Sequence, residues 1–258
     1  MESIDKTLVY HELLMVCDDL NKTEYALPEG YSFAFYSGES DIDEWINIHI
    51  QSGEFASKRL ARKYFYDFYG NFLDELSERL FFIVHNSSNE KVATATLSPA
   101  DEHGYKCVID WFAIKKSYQG KKLSKPMLSK IFSLAKSLGY DKILLHTQTH
   151  TFVAAKLYLD FGFEIFNATS EHMGYRILSS LISHPKLEGF SPCPVCEMYD
   201  SEVQAIVKRL DALFTDYTYE VWNACGRNDV YVLENGKEHY YKFYEGGNKL
   251  VEQEGESE

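Results

Sequence analysis

The sequence predicts an α+β fold, in which a mixed, mostly antiparallel central sheet is flanked by helices and followed by a small C-terminal α/β subdomain. Three short apolar segments between residues 79 and 114 are separated by two turn sequences, a pattern that predicts an antiparallel meander. The strand, helix, strand order from residue 106 to residue 147 then predicts a right-handed parallel crossover. Three of the six prolines fall between Ile182 and Pro194, so a domain boundary is expected near residue 186.

Composition places the chain among globular proteins and argues against several partners. Of the 258 residues, 45% are hydrophobic and 15% aromatic, enough for a sizeable core. The net charge of -13 argues against nucleic acid or an anionic membrane and favours a cationic small molecule. No apolar run approaches the roughly 18 residues of a membrane helix, and the acidic N-terminus does not fit a signal peptide. We therefore expect a cytoplasmic protein whose five scattered cysteines are reduced thiols.

The N-terminal third is predicted to be largely helical. A weak helical pattern marks residues 1–26 as an N-terminal helical extension, and alternating aromatic residues predict a strand over 31–36. Asp41 with Glu44 forms a capping box that begins a helix ending at Gly53. Aromatic residues at helical spacing predict a second helix over 55–78.

The remaining elements complete one domain over residues 27–185 and a smaller one over residues 186–251. The first domain is predicted to contain strands at 79–84, 92–97, 106–114, 142–147, 163–166 and 173–178, with helices at 123–138 and 151–161. The second is predicted to hold a helix at 201–214, a strand at 217–222 and a hairpin that turns at Asn235-Gly236. The acidic residues 252–258 are predicted to form a disordered tail.

A lysine-rich loop stands out in this acidic chain. Seven lysines lie between Asp110 and Asp141 with no carboxylate among them, and several flank Gly120, where a strand gives way to a helix. Unpaired backbone N–H groups and the helix dipole both favour an anion at such a point. The loop is therefore predicted to bind a phosphate group.

Two motifs, together with the order of elements, carry a resemblance to a known family. The loop reads Gln119-Gly120-Lys121-Lys122-Leu123-Ser124, and Ala154 to Glu164 reads A-A-K-L-Y-L-D-F-G-F-E. Over residues 27 to 180 the chain resembles the GNAT superfamily of acetyl-CoA-dependent N-acetyltransferases. Its loop motif is Q/R-x-x-G-x-G/A, and its second motif is A-x-x-L-Y-x-x-x-G-F-E. The chain departs from the family pattern at Lys122 (usually glycine), Ser124 (glycine or alanine) and Thr151 (asparagine).

The resemblance implies a coenzyme A site and a direct acyl transfer. It implies that acetyl-CoA is the co-substrate and that Tyr158 is the general acid for the departing thiolate, since phenols and thiols have pKa values near roughly 10 and 8.5. Asp110 is our candidate base, expected on the same side of its strand as Phe112 and Ile114, and Glu102, His103 and His146 are weaker candidates. The residues implied to contact the cofactor are Phe112, Ala113, Ile114, Gln119, Gly120, Lys121, Lys122, Leu123, Ser124, Thr151 and Tyr158.

The expected activity is transfer of acetyl to a primary amine of a cationic small molecule or peptide in a ternary complex. The alternative is a non-catalytic module that binds an acyl-CoA or serves as an interaction partner. The C-terminal subdomain is expected either to cover the site or to form a subunit contact, as in a homodimer. Cys193 and Cys196 have the spacing of half a zinc site that Cys225 and His239 would complete, but without a second C-x-x-C we expect no metal.

Overall fold

The computed structural model describes residues 4–224, 227–244 and 249–253, which form two sheets with helices on both faces of the larger one. The larger sheet has seven strands in the order β2-β3-β4-β5-β6-β1-β7, and the smaller has four antiparallel strands in the order β11-β10-β9-β8. The strands are β1 Glu12–Cys17, β2 Tyr31–Phe35, β3 Leu80–His85, β4 Glu90–Glu102, β5 Tyr105–Ile114, β6 Ile143–Gln148, β7 Glu164–Ile165, β8 Tyr217–Ala224, β9 Arg227–Glu234, β10 Lys237–Tyr244 and β11 Lys249–Gln253.

Helices flank the seven-stranded sheet, and two further helices precede the smaller sheet in the chain. They are α1 Ser40–Ser52, α2 Lys58–Tyr69, α3 Leu76–Arg79, α4 Ser124–Ser137, α5 Phe152–Phe161, α6 Met173–Leu181, α7 Val195–Met198 and α8 Ser201–Leu210. Helices α1 and α2 bury one face of the sheet, while α4 and α5 bury the other. Helix α8 packs its buried Ile206 and Leu210 on the smaller sheet, which has a core of its own.

The predicted fold class is confirmed. Strands β3, β4 and β5 form the antiparallel meander, and β5 runs parallel to β6 after the α4 crossover. The hairpin between β9 and β10 turns at Asn235 and Gly236, which both have positive φ as a tight two-residue turn requires.

The predicted N-terminal helical extension over residues 1–26 is wrong, because Glu12–Cys17 form an interior strand of the larger sheet. This strand lies between β6 and β7 and pairs with both. Its last five residues are a continuous apolar run, and a strand covered on both faces needs such a run rather than an alternating one. A short continuous apolar run has no periodicity that distinguishes a buried strand from a helix, so the sequence pattern alone predicts a helix here.

Three further details of the prediction require correction. Met173–Leu181 form helix α6 instead of a strand, because Met173, Ile177 and Leu181 recur every fourth residue along one helix face. Helix α1 lacks the predicted capping box, since the Asp41 carboxylate accepts hydrogen bonds from Ser37 and pairs with Lys91. The predicted tail starts too early, because residues 252 and 253 belong to β11; residues 254–258 lie outside the described part.

The N-terminal segment ties the two sheets together. Val9 N–H donates to the Met198 carbonyl at 2.8 Å, and Asp200 N–H donates to the Thr7 carbonyl at 2.8 Å. The chain just before β1 is therefore hydrogen-bonded to the segment that leads into α8.

Over the residues described, no helix combines the length and the apolarity needed to cross a membrane.

Candidate active site

Strands β5 and β6 separate after a short parallel contact. Their ladder consists of Val108 opposite Leu144 and Ile109 opposite Leu145, and it does not continue toward Ile114. On its other edge β5 stays paired with β4 as far as Ile114. The β6-facing edge of β5 after Ile109 is thus free to pair with an extended ligand.

A β-bulge at Trp111 lies at the point of separation. Thr94 pairs with Ala113 and Thr96 with Asp110, so Trp111 and Phe112 together face the single residue Ala95. Trp111 has φ 50, a left-handed conformation that costs a residue other than glycine on the order of 1 kcal/mol.

The bulge decides which side chains share a face. Asp110 and Ala113 both lie on the face of α1 and α2, whereas Phe112 and Ile114 pack into the core below α4 and α5. The expectation that Asp110 shares a side with Phe112 and Ile114 is therefore wrong, because the extra residue breaks the two-residue alternation. Trp111 projects to the α1 and α2 side and stacks on Phe55, with ring centroids 5.5 Å apart.

The loop from β5 to α4 presents unpaired donors and cations. None of the backbone N–H groups at 120–125 donates to another group of the described chain, and no side chain caps α4. Gln119 supports the loop internally, because its side chain donates to the Ile114 carbonyl at 3.1 Å. Lys121, Lys122 and Lys125 are exposed and have no carboxylate partner among the residues described. This is the geometry of an anion site.

Lys122 stands at a backbone position that favours glycine. Its φ is 62, and Gly120 nearby has φ 74. Below the loop, buried Lys115 donates to Glu90 Oε1 at 2.8 Å and Tyr118 donates to Glu90 Oε2 at 2.8 Å. These bonds lower the pKa of Glu90, with that from Lys115 contributing most. Glu90 therefore holds Lys115 and Tyr118, the residues that precede the left-handed turn at Lys122, in place.

Tyr158 lies beneath the gap between the two strands. It is 6% exposed, and its ring meets the Phe112 ring edge-on with centroids 6.0 Å apart. Its hydroxyl makes no hydrogen bond to the described residues, and burial, followed by the charges of Glu54 and Asp110, raises its pKa. At the start of the same helix the Thr151 hydroxyl is engaged locally, with Thr147 Oγ1 at 3.0 Å.

Asp110 belongs to a polar cluster beside Tyr158. Burial raises the pKa of Asp110 to about 6 and the charge of Glu102 adds to this, while the Ser98 hydroxyl and His146 act in the opposite direction. His146 contacts Glu12 through Nδ1 at 2.9 Å and Glu102 through Nε2 at 3.1 Å. Burial lowers the pKa of His146, but these two carboxylates outweigh it and the net shift is upward.

The structure brings two of the three weaker candidates for the catalytic base close to Asp110. His146 and Glu102 join Asp110 in one cluster, where the imidazole bridges two carboxylates and can pass a proton toward the surface. His103 lies at the edge of this cluster, with Nε2 3.4 Å from Glu102 Oε1, and its side chain is 43% exposed.

A cavity of about 480 Å³ opens on the α1 and α2 side, next to Trp111. Its walls come from the N-terminal segment, the loop between α1 and α2, strand β8 and the start of α8. Lys6 lines the cavity and donates to the carbonyls of Glu54 at 2.8 Å and Tyr219 at 3.0 Å. Burial raises the pKa values of Glu54 and Glu220, and the nearby Lys6 charge offsets part of that rise.

Sequence reasoning missed Lys6, Glu54, Trp111 and Glu220 as site residues. They come from four distant parts of the chain, and no motif surrounds any of them. One local sequence feature could have indicated Glu54: it is an acidic residue directly after Gly53, the glycine that ends α1.

The cysteine pair does not form a metal centre with its described neighbours. Cys193 is buried with its sulfur 3.6 Å from Met173 Sδ, and Cys196 is exposed. Across the described chain, no three His, Cys, Asp or Glu side chains are grouped closely enough to hold a metal ion. Cys225 lies outside the described residues.

Comparisons with known proteins agree with this architecture. Residues 42–163, from α1 through α5, match the model of the acetyltransferase (GNAT) family. No curated protein matches the chain. Among solved structures it is similar to a GCN5-related N-acetyltransferase from Sphaerobacter thermophilus, with a TM-score of 0.50 and 15% identity over 60% of this chain and 50% of that one.

Two other solved structures show the same extent of similarity. A GNAT-family acetyltransferase from Colwellia psychrerythraea has a TM-score of 0.48 and 15% identity, over 63% of this chain and 55% of that one. A GCN5-related N-acetyltransferase from Kribbella flavida has a TM-score of 0.44 and 16% identity, over 62% and 56%. The chain thus spans about half the length of these proteins. Its residues 42–163 form an acetyltransferase domain of the GNAT family, whose members are generally acetyl-CoA-dependent acyltransferases.

Proposed function

We propose that this protein is an N-acetyltransferase that moves acetyl from acetyl-CoA to a primary amine of a cationic acceptor, by direct attack in a ternary complex. The observation that carries the proposal is the combination of a free strand edge on β5 with the unpaired N–H groups of residues 120–125. The first suits the extended pantetheine arm, and the second suits the pyrophosphate.

The acyl-transfer step needs an oxyanion site and an acid. The amine nitrogen attacks the thioester carbon and the carbonyl oxygen becomes negative. A backbone N–H of the segment from Phe112 to Ile114 is the proposed group that stabilises this oxygen. The C–S bond then breaks, and Tyr158 donates its proton to the departing thiolate. Burial keeps Tyr158 protonated, and the same apolar surroundings make the thiolate a stronger base than it is in water.

The amine proton must be removed as the new N–C bond forms. Nitrogen becomes much more acidic at that stage, so a carboxylate with a pKa of about 6 is able to accept its proton. Asp110 is the proposed base, and His146 with its two carboxylates can relay the proton outward. Glu54, the other acid whose charge reaches Tyr158, lies on the cavity side and is the second candidate for this role.

Four free thiols, at Cys17, Cys107, Cys193 and Cys196, agree with a reducing compartment such as the cytoplasm, which is the location we propose.

Calorimetric titration with acetyl-CoA tests the proposal, followed by an assay for free thiol with a panel of amines. We expect binding in the micromolar range and thiol release with at least one cationic amine. Replacing Lys121 and Lys122 with alanine should weaken binding severalfold, whereas Lys208→Ala, an exposed lysine on α8, should not. Failure to bind acetyl-CoA at tens of micromolar would reject the enzyme.

Binding without thiol release would favour the alternative, a non-catalytic acyl-CoA-binding module. Two observations support that alternative: Lys122 in place of glycine at a left-handed position, and a Thr151 hydroxyl already engaged with Thr147.

A further inference from the structure

The cavity beside Trp111 combines aromatic walls with carboxylates. Trp111, Tyr64 and Trp222 line it, and the Tyr64 ring contacts both indole rings, with centroids 6.2 and 5.5 Å away. Such aromatic faces attract a cation and also pack on an aliphatic chain. At about 480 Å³ the cavity falls within the range of small-ligand sites.

The carboxylates around the cavity outnumber its cations. Glu54, Asp200, Glu202 and Glu220 line it against the single ammonium of Lys6. Asp200 is engaged in capping α8, because its Oδ1 accepts from the N–H groups of Glu202 and Val203. Glu202 is partly buried as a residue, but its Oε1 atom is buried and has no hydrogen-bond partner among the described residues. A buried carboxylate oxygen without a donor is costly unless a ligand supplies one.

The chemistry of the reaction determines what that donor is. The nitrogen that attacks the thioester must be neutral, so it cannot also satisfy a carboxylate as an ammonium ion. A carboxylate that remains unpartnered therefore fits a second group of the acceptor that stays protonated during the reaction.

We propose that this cavity is the acceptor site and that its substrates are aliphatic diamines, with the reacting amine beside Glu54 and the second ammonium on Glu202. The inference rests on the proposed function and adds to it the substrate class and the part of the chain that selects it. Trp111, Trp222 and Tyr64 enclose the aliphatic chain between the two nitrogens.

The C-terminal sheet helps to build this site. Glu220 Oε2 accepts from Ala56 N–H at 2.8 Å, and Glu238 accepts from Ser57 Oγ at 2.9 Å and Lys58 N–H at 2.8 Å. Carboxylates of β8 and β10 thus hold the loop between α1 and α2, the loop that brings Glu54 and Phe55 to the cavity. The subdomain that follows the acetyltransferase domain forms one wall of the acceptor site.

Direct binding tests the inference without turnover. Diaminobutane and butylamine, which differ by one ammonium, are titrated into the full chain with and without coenzyme A, and binding is followed by calorimetry and by tryptophan fluorescence. We expect diaminobutane to bind at least tenfold more tightly. Glu202→Gln should remove most of that difference, a loss of about tenfold for diaminobutane and little change for butylamine.

Two controls make the outcome decisive. The matched variant Glu78→Gln removes an exposed glutamate on α3 and should leave both affinities unchanged. Equal affinity of the two amines for the unmodified protein, or an unaltered preference in Glu202→Gln, would overturn the inference. Preferential diamine binding by a protein that does not bind acetyl-CoA would retain the cavity assignment and reject the proposed enzyme instead.

Discussion

Replacing Asp110 with asparagine should remove activity and should also remove the loss of stability that the parent shows as pH rises from about 4 to about 6. The carboxyl is buried in the cluster with His146 and Glu102, and burial raises its pKa from 3.8 to about 6. The unfolded chain therefore loses this proton at a lower pH than the folded protein does. Stability falls as pH rises from about 4 to about 6 and stays at the lower level above that range.

The size of the effect follows from the shift. Two pKa units correspond to about 3 kcal/mol, the free energy by which ionised Asp110 destabilises the fold at pH 8. Roughly half of that free energy is already present at pH 5. The asparagine variant lacks this titration, so its stability relative to the parent should rise by about 1 kcal/mol between pH 5 and pH 8. His146 titrates in both proteins, so its contribution to the difference in stability largely cancels.

Urea unfolding of both proteins at several pH values measures this difference. Comparing the change with pH, instead of the two stabilities at one pH, removes the effect of exchanging an oxygen for an amide group. Parallel stability curves would refute the reasoning, because they would mean that Asp110 titrates normally. In the acetyl-transfer assay the variant should lose about a hundredfold in kcat/KM, and parent activity should decline as pH falls below about 6.

Three further substitutions probe the acid, the loop and the C-terminal sheet. Tyr158→Phe should lower kcat about a hundredfold with the affinity for coenzyme A unchanged, since the phenyl ring keeps its contact with Phe112. Lys122→Gly should be about 0.5–1 kcal/mol more stable in urea than Lys122→Ala, because only glycine adopts a φ of 62 without strain, and both should weaken coenzyme A binding about threefold. Glu238→Ala should raise KM for the acceptor about tenfold and leave KM for acetyl-CoA unchanged, because it releases only the loop at Ser57.

Each of these has an outcome that contradicts it. Unchanged turnover in the phenylalanine variant would mean that Tyr158 only packs. Equal stability of the two Lys122 variants would mean that the left-handed turn is absent in solution. If Glu238→Ala changed only the KM for acetyl-CoA, the C-terminal sheet would not contribute to acceptor binding.

The elements with clear periodicity could be predicted from the sequence. Helix α4 repeats apolar residues from Leu123 to Leu138, and the buried strand that follows it is bounded by turn residues. Strand β1 could not be distinguished in this way, because a continuous apolar run carries no period and only its two neighbouring strands make it a strand.

The site was less predictable than the fold. The loop at Gly120 is local in sequence, so its lysines and its missing caps could be expected from the residues alone. The cavity is built by tertiary contacts: Lys6 meets the carbonyl of Tyr219, more than two hundred residues away, and Glu220 meets Ala56. The bulge at Trp111 was also hidden, since tryptophan has no preference for the left-handed conformation it adopts.

The extra residue in β5 has a consequence for how this protein can change. Trp111 is accommodated outside the ladder, so the strand on either side of it keeps its alternation, and Phe112 to Ile114 would face the same way if it were absent. Substitution or loss of this one residue would reshape the wall of the proposed acceptor cavity and leave the edge of β5 that is proposed to bind the coenzyme unchanged. If both proposals hold, acceptor preference can diverge between related sequences without disturbing the part of the strand assigned to the acyl donor.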